Sequence, residues 1–255
     1  MKPLSAKQWV LQLKLNKVEV RMDEPILHSK LIIRRRVEVT KLRPERLKQP
    51  MIIGLIVIIL TIMISRETGL SFSTLSEDAG MSDTKTWLTG ALSTLGIILL
   101  AIAAGIMLFT SGFRKQLGIS KRSSAGFWLS ICTIVLMLDD AFQLHEILAG
   151  ELFGMSDWII QVAIGLMIIL VLCLFRSAIQ SSFIFALPAI SFWAASVLLD
   201  LVSAEFSWSS VLMEDSFKLL GICCWLQFSI DIGNRSLRDI MDMTPSRYRG
   251  TTTKS

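Results

Sequence analysis

Histidine is almost missing from this chain. Only His28 and His145 occur in 255 residues. A metal centre built mainly from imidazoles is thereby excluded. Charge is also scarce, at 18% of residues, against roughly 25% in soluble domains. The apolar share is 52% and the mean hydropathy +0.58. Long blocks carry no charge at all, which indicates an integral membrane protein rather than a soluble protein with a large core. Paired cysteines are absent too. Cys132, Cys173, Cys223 and Cys224 all fall inside apolar blocks without CxxC spacing, so they read as buried thiols acting as small hydrophobes. Of six prolines, only Pro188 lies well inside an apolar block. The paired Gly/Pro-interrupted helices of inverted-repeat transporters are therefore not expected. The first 50 residues hold no apolar run resembling a secretion signal, so the first span itself is expected to direct insertion.

What remains is six apolar segments, at about 51–65, 87–110, 127–148, 158–175, 183–203 and 211–230. They predict an all-α membrane protein, a six-transmembrane-helix bundle over residues 51–230. The first, MIIGLIVIILTIMIS, is short for a hydrocarbon core of ~30 Å, and Lys48 and Arg66 are placed to snorkel at its ends. Lys and Arg alternate across the connecting segments as 13, 2, 4, 0, 1, 0 and 5. By the positive-inside rule both termini are expected to be cytoplasmic. The plasma or inner membrane is the expected location, and a thylakoid or other internal membrane fits the same pattern.

Residues 1–50 form a basic head, with 13 basic against 5 acidic residues. Within it, WVLQLKLNKVEVRM (9–22) and LIIRRRVEVTK (31–41) alternate apolar and polar residues. Period-2 runs rich in Val, Ile and Leu predict short strands, a small β-rich cytoplasmic element. Its charge suits anionic lipid headgroups or a docked protein partner. Nucleic acid is not an expected partner, because no recognised motif or interleaved aromatics accompany the charge. Residues 231–255 are expected to be a partly disordered cytoplasmic tail.

The third segment breaks the apolar pattern. LMLDDAFQLHEILAG (136–150) places Asp139, Asp140, Gln143, His145 and Glu146 in the outer half of a predicted span. At 100° per residue, Asp139, Gln143 and Glu146 share one face of an unbroken helix. The fifth span ends near Asp200, and the sixth opens with Glu214, Asp215 and Lys218. One charge at a span centre costs about 2.5–3.5 kcal/mol even on the lenient insertion scale. Convergence on a single outward-facing pocket is the economical arrangement.

Three readings of that pocket follow. Lys218 could neutralise Asp140 or Asp215 in a structural ion-pair network. The working expectation is a cation site: Asp140, His145, Glu146 and Asp215 would hold a divalent metal ion, since carboxylates with one imidazole favour hard cations, and a metal-activated water could then act on a lipid or lipid-linked substrate. Third, the acids could serve an ion- or proton-coupled transporter. The superfamily of alkaline ceramidases and adiponectin-type receptors joins an Asp to three His in an intramembrane zinc site. Two His, one of them in the head, exclude that arrangement here. Neither Glu-x-x-His nor His-Glu-x-x-His occurs, so di-iron bundles and zincins are unsupported.

Overall fold

Hydrocarbon offers no water to the backbone, so an apolar segment that enters it must bond its peptide groups internally. Helices satisfy that demand within one segment, and the described residues are built from them. A computed structural model describes residues 45–76, 88–116, 120–146, 154, 156–203 and 208–249; among these there is no strand. The strands expected over residues 9–41 lie outside the described residues.

The long elements are α1 (Glu45–Thr68), α3 (Ala91–Gln116), α4 (Ser120–Phe142), α6 (Asp157–Leu174), α8 (Phe183–Ser203) and α9 (Trp208–Arg249). Shorter pieces lie between them: α2 (Phe72–Ser76), α5 (Leu144–Glu146), α7 (Arg176–Ile179) and a 3-10 turn at Gln180–Ser182. Four helical stretches are long and apolar enough to cross a membrane: Leu47–Thr68, Ala91–Gln116, Ser124–Phe142 and Arg176–Val202. The other two expected spans fall in α6 and α9. The 18 residues of α6 reach about 27 Å at 1.5 Å per residue, slightly short of the hydrocarbon core. The start of α9 carries Glu214, Asp215 and Lys218, which dilute its apolar character.

Three boundaries differ from the sequence expectation. The first helix starts at Glu45 rather than 51, and its sixth residue, Pro50, is buried. The third span is not continuous, because α4 ends at Phe142 and α5 resumes at Leu144. The last helix does not stop near 230. It runs 42 residues to Arg249, about 63 Å, so most of the expected tail is helical.

The packing centres on α9, which lies against α1, α3 and α8, while α3 also packs along α4 and α6 packs on α4. Three successive residues of α9 meet three different helices. A methyl built on Gly54 of α1 would stand 2.7 Å from Leu220 Cδ2. One built on Gly221 would stand 2.6 Å from the indole of Trp193 in α8. One built on Gly96 of α3 would stand 3.1 Å from Ile222 Cδ1. Lipid tails are as apolar as leucine, so burial drives helix association little in hydrocarbon; close backbone approach through small residues does so instead. Below this level sits an apolar core of Leu100, Met107, Leu129, Phe185, Trp225 and Phe228. Trp225 is its centre, with ring centroids 5.3 Å from Trp193 and 4.9 Å from Phe228. By contrast α1 turns Ile52, Ile53, Leu55, Ile56, Ile59 and Leu60 outward, the surface a lipid-facing helix requires.

Gly221→Ala should lower stability by about 1–3 kcal/mol, the usual range for overpacking, in thermal unfolding of detergent-solubilised protein. Gly165→Ala, with nothing within 4 Å of the added methyl, should be neutral or stabilising by up to ~1 kcal/mol.

Candidate functional site

Successive residues on a helix point about 100° apart, so the adjacent aspartates of α4 diverge. Asp139 turns toward its own chain. Its Oδ1 accepts the backbone N–H of His145 at 2.9 Å and lies 3.1 Å from His145 Nδ1. Between them Gln143 has φ +49°, a left-handed conformation that costs a non-glycine residue roughly 1–2 kcal/mol. The break frees amides from the helix ladder, and the Asp139 carboxylate takes up one of them. It also removes the continuous polar face expected for Asp139, Gln143 and Glu146, because residues beyond 143 no longer follow the phase of α4. The side chain of Glu146 lies outside the described residues.

Asp140 turns across the bundle. Its Oδ1 pairs with Lys218 Nζ of α9. The Asp140 side chain is 8% exposed and that of Lys218 43%, so the ammonium end of the pair is the more exposed one. Asp140 Oδ2 is buried with no hydrogen-bond partner; it faces Gly96, 3.9 Å from where a methyl on that glycine would stand.

This pair has a counterpart deeper in the bundle. Trp225 Nε1 of α9 donates to Thr133 Oγ1 of α4 at 3.0 Å, and Thr133 donates onward to Leu129 O at 2.8 Å. Asp140 is seven residues beyond Thr133, and Lys218 is seven before Trp225. Seven residues make two turns, about 10.5 Å. The helices run antiparallel, so both bonds fall in one register: two polar ties, two turns apart, link α4 to α9 across the side of α3.

The remaining expected site residues gather less closely. Glu214 feels Asp200 of α8 and Asp215 as like charges and Lys218 as an opposite one. Asp200 is exposed. In α6, Gln161 Oε1 is buried without a partner. Among the described residues no three His, Cys, Asp or Glu side chains are grouped to hold a metal ion.

A second polar layer, at the opposite end of the bundle, escaped the sequence reading. Arg114, expected in a connecting loop, is in α3 and only 3% exposed. Its Nη1 donates to Ser236 Oγ at 3.2 Å and to Asp239 Oδ2 at 3.1 Å, both in α9. One turn back, Asp231 Oδ2 accepts Ser182 Oγ at 2.8 Å and Arg235 Nε at 2.7 Å. Two signals could have found this layer. Gly96, Leu100, Ala103, Met107, Thr110 and Arg114 form one buried helical stripe, so Arg114 is in phase with the core. Asp231 and Arg235 stand i,i+4, the spacing of a helical ion pair.

Thr133→Val should strand the indole N–H of Trp225, at about 1–3 kcal/mol for a buried unsatisfied donor. Thr133→Ser, which keeps an acceptor, should recover most of the loss in the same thermal unfolding measurement.

No curated protein and no solved structure matches the chain. One family model does, the one described as Domain of unknown function (DUF8692), and its match covers residues 51–232. That range holds the apolar helices, the Asp139–Asp140–Lys218 layer and, of the second layer, Arg114, Ser182 and Asp231; it leaves out the basic head and Arg235, Ser236 and Asp239. Since the match takes in well over half of the 255 residues, the chain belongs to this family.

Proposed function

We propose that this chain is a six-span, non-catalytic membrane subunit. Its intramembrane charges hold the helices in register, and its basic head, on the cytoplasmic side with the C terminus, docks anionic headgroups or a protein partner. The observation that carries this reading is that each buried aspartate of the third span meets a cationic or potentially cationic side chain of the same chain, Asp139 with His145 and Asp140 with Lys218. A lysine fills the place a bound cation would take at Asp140. The polar layers at the two ends are separated by Leu100, Met107, Leu129, Trp225 and Phe228, all buried. Three hydroxyls at that depth bond to nearby carbonyls. Ser130 donates to Ala104 O, Thr133 to Leu129 O, and Ser229 to Trp225 O. An ion- or proton-coupled transporter would need a polar path through this layer, which favours the subunit reading.

A second reading, a cation-binding pocket that acts on a lipid or lipid-linked substrate, draws on the acids around Glu214. Glu214 feels Asp200 and Asp215 as like charges, and the one opposite charge acting on it, Lys218, is already engaged by Asp140. Elemental analysis of purified protein separates the two. Stoichiometric metal, lost in Asp140→Asn and His145→Ala, would displace the subunit reading.

The subunit reading predicts a stable partner on purification in mild detergent. The complex should weaken as salt rises, because the head's charges are screened over about 10 Å at 0.1 M. Deleting residues 1–45 should release the partner while the membrane portion still purifies intact. Recovery of the same complex from the truncated chain would contradict the role given to the head.

A further inference from the structure

We propose that the guanidinium of Arg114 is the core of a phosphate site at the end of the bundle expected to face the cytoplasm. Its ligand is an anionic lipid headgroup or a soluble phosphate ester, which present the same oxyanion; the site is compatible with either reading above. Arg114 is 3% exposed, yet both of its hydrogen bonds, to Ser236 and Asp239, leave from Nη1. Its Nε is buried without a partner, and among the described residues nothing accepts from Nη2. Nε–H and the adjacent Nη2–H make up one edge of the planar guanidinium fork. Two parallel bonds from such an edge are the usual grip on a carboxylate or phosphate. A buried cationic donor without an acceptor is costly, and an oxyanion on that edge would satisfy it.

Charge and depth select phosphate. At the end of α3 and between Asp231 and Asp239 of α9, the basic side chains Arg114, Lys115, Arg235 and Arg238 stand against those two acids. Asp239 and Asp231 answer Arg114 and Arg235, while Lys115 and Arg238 are exposed. The surplus positive charge suits an anion. Arg235 is only partly engaged. Its Nε donates to Asp231 at 2.7 Å and its Nη2 reaches Ser181 O at 3.5 Å, which leaves Nη1 as a further donor on the same stretch of α9. Helix α3 has 26 residues, about 39 Å at 1.5 Å per residue, against a hydrocarbon core of ~30 Å. Centred on that core, it puts Arg114, in its last turn, at the headgroup boundary, where lipid phosphates lie. Asp239, whose side chain is 37% exposed, brings solvent within one hydrogen bond of the buried guanidinium.

The test uses full-length protein in a non-ionic detergent, unfolded thermally with three probes: phosphatidic acid, diacylglycerol with the same chains, and inorganic phosphate. Phosphatidic acid should raise the unfolding temperature saturably, since a ligand of the folded state stabilises it, and diacylglycerol should not. Arg114→Lys keeps the charge and loses the fork, so it should weaken phosphatidic acid binding roughly tenfold or more, the effect of a hydrogen bond to a charged group. Arg238→Gln, at the exposed rim, should weaken it less. A shift with phosphatidic acid alone identifies a lipid headgroup, and an equal shift with inorganic phosphate identifies a soluble ester; either supports the site. A second measurement needs no variant. At 1 M salt charges are screened over about 3 Å, and binding to a buried fork should persist. Complete loss of binding at that salt, or equal binding by wild type and a folded Arg114→Lys, would reduce the effect to general attraction by rim charges and overturn the proposal. So would the absence of a shift with both phosphate probes.

Discussion

A carboxylate buried inside a helical bundle must find a cation or face several kcal/mol of desolvation alone. Asp140 and Lys218 do find each other, and much of the bundle follows from that requirement. The pair comes from α4 and α9, helices that do not lie closely side by side. Helix α3 packs against both and fixes their separation. Long side chains are then needed to cross the gap, and the two bonds that cross it use lysine and tryptophan, among the longest available. Their common spacing of two turns sets the axial register of α4 against α9. A slip of one residue would break both at once.

The same helix, α9, carries the second polar layer. Asp231, Arg235, Ser236 and Asp239 extend past the apolar core and tie α9 to the end of α3 and to the 3-10 turn that precedes α8. Between the layers, α9 is held by shape: Leu220, Gly221 and Ile222 fit against three neighbours through glycine on one side of each contact. Polar bonds at the two ends fix direction and register, while small residues in the middle let the backbones approach. In hydrocarbon this division is sensible, because apolar burial alone does not distinguish one helix face from another.

Much of this was legible before any coordinates. The apolar blocks predict helices, and four stretches meet the length and hydropathy of spans. The charge pattern singled out Asp139, Asp140, His145 and Lys218 as one end of the bundle. What could not be read was the direction each aspartate takes. The spacing predicts a single helical phase through LMLDDAFQLHEILAG, but Gln143 adopts a left-handed conformation that the sequence, lacking glycine there, does not signal. The side-chain cap from Asp139 to the His145 amide offsets that strain, and such a contact is visible only in three dimensions. Arg114 is hidden for a different reason. Counting basic residues for orientation treats every arginine at a span end as a loop residue, whereas its phase with Leu100, Ala103 and Met107 puts it inside.

The central claim is that Asp140 and Lys218 act as one unit. A double-mutant cycle tests it most directly: Asp140→Asn, Lys218→Met and the double variant, each unfolded chemically in the same detergent. The account predicts that the double variant is destabilised by at least ~1 kcal/mol less than the sum of the two single losses, within the 0.5–3 kcal/mol range of directly coupled residues. Losses that add within about 0.5 kcal/mol, the behaviour of independent sites, would contradict it.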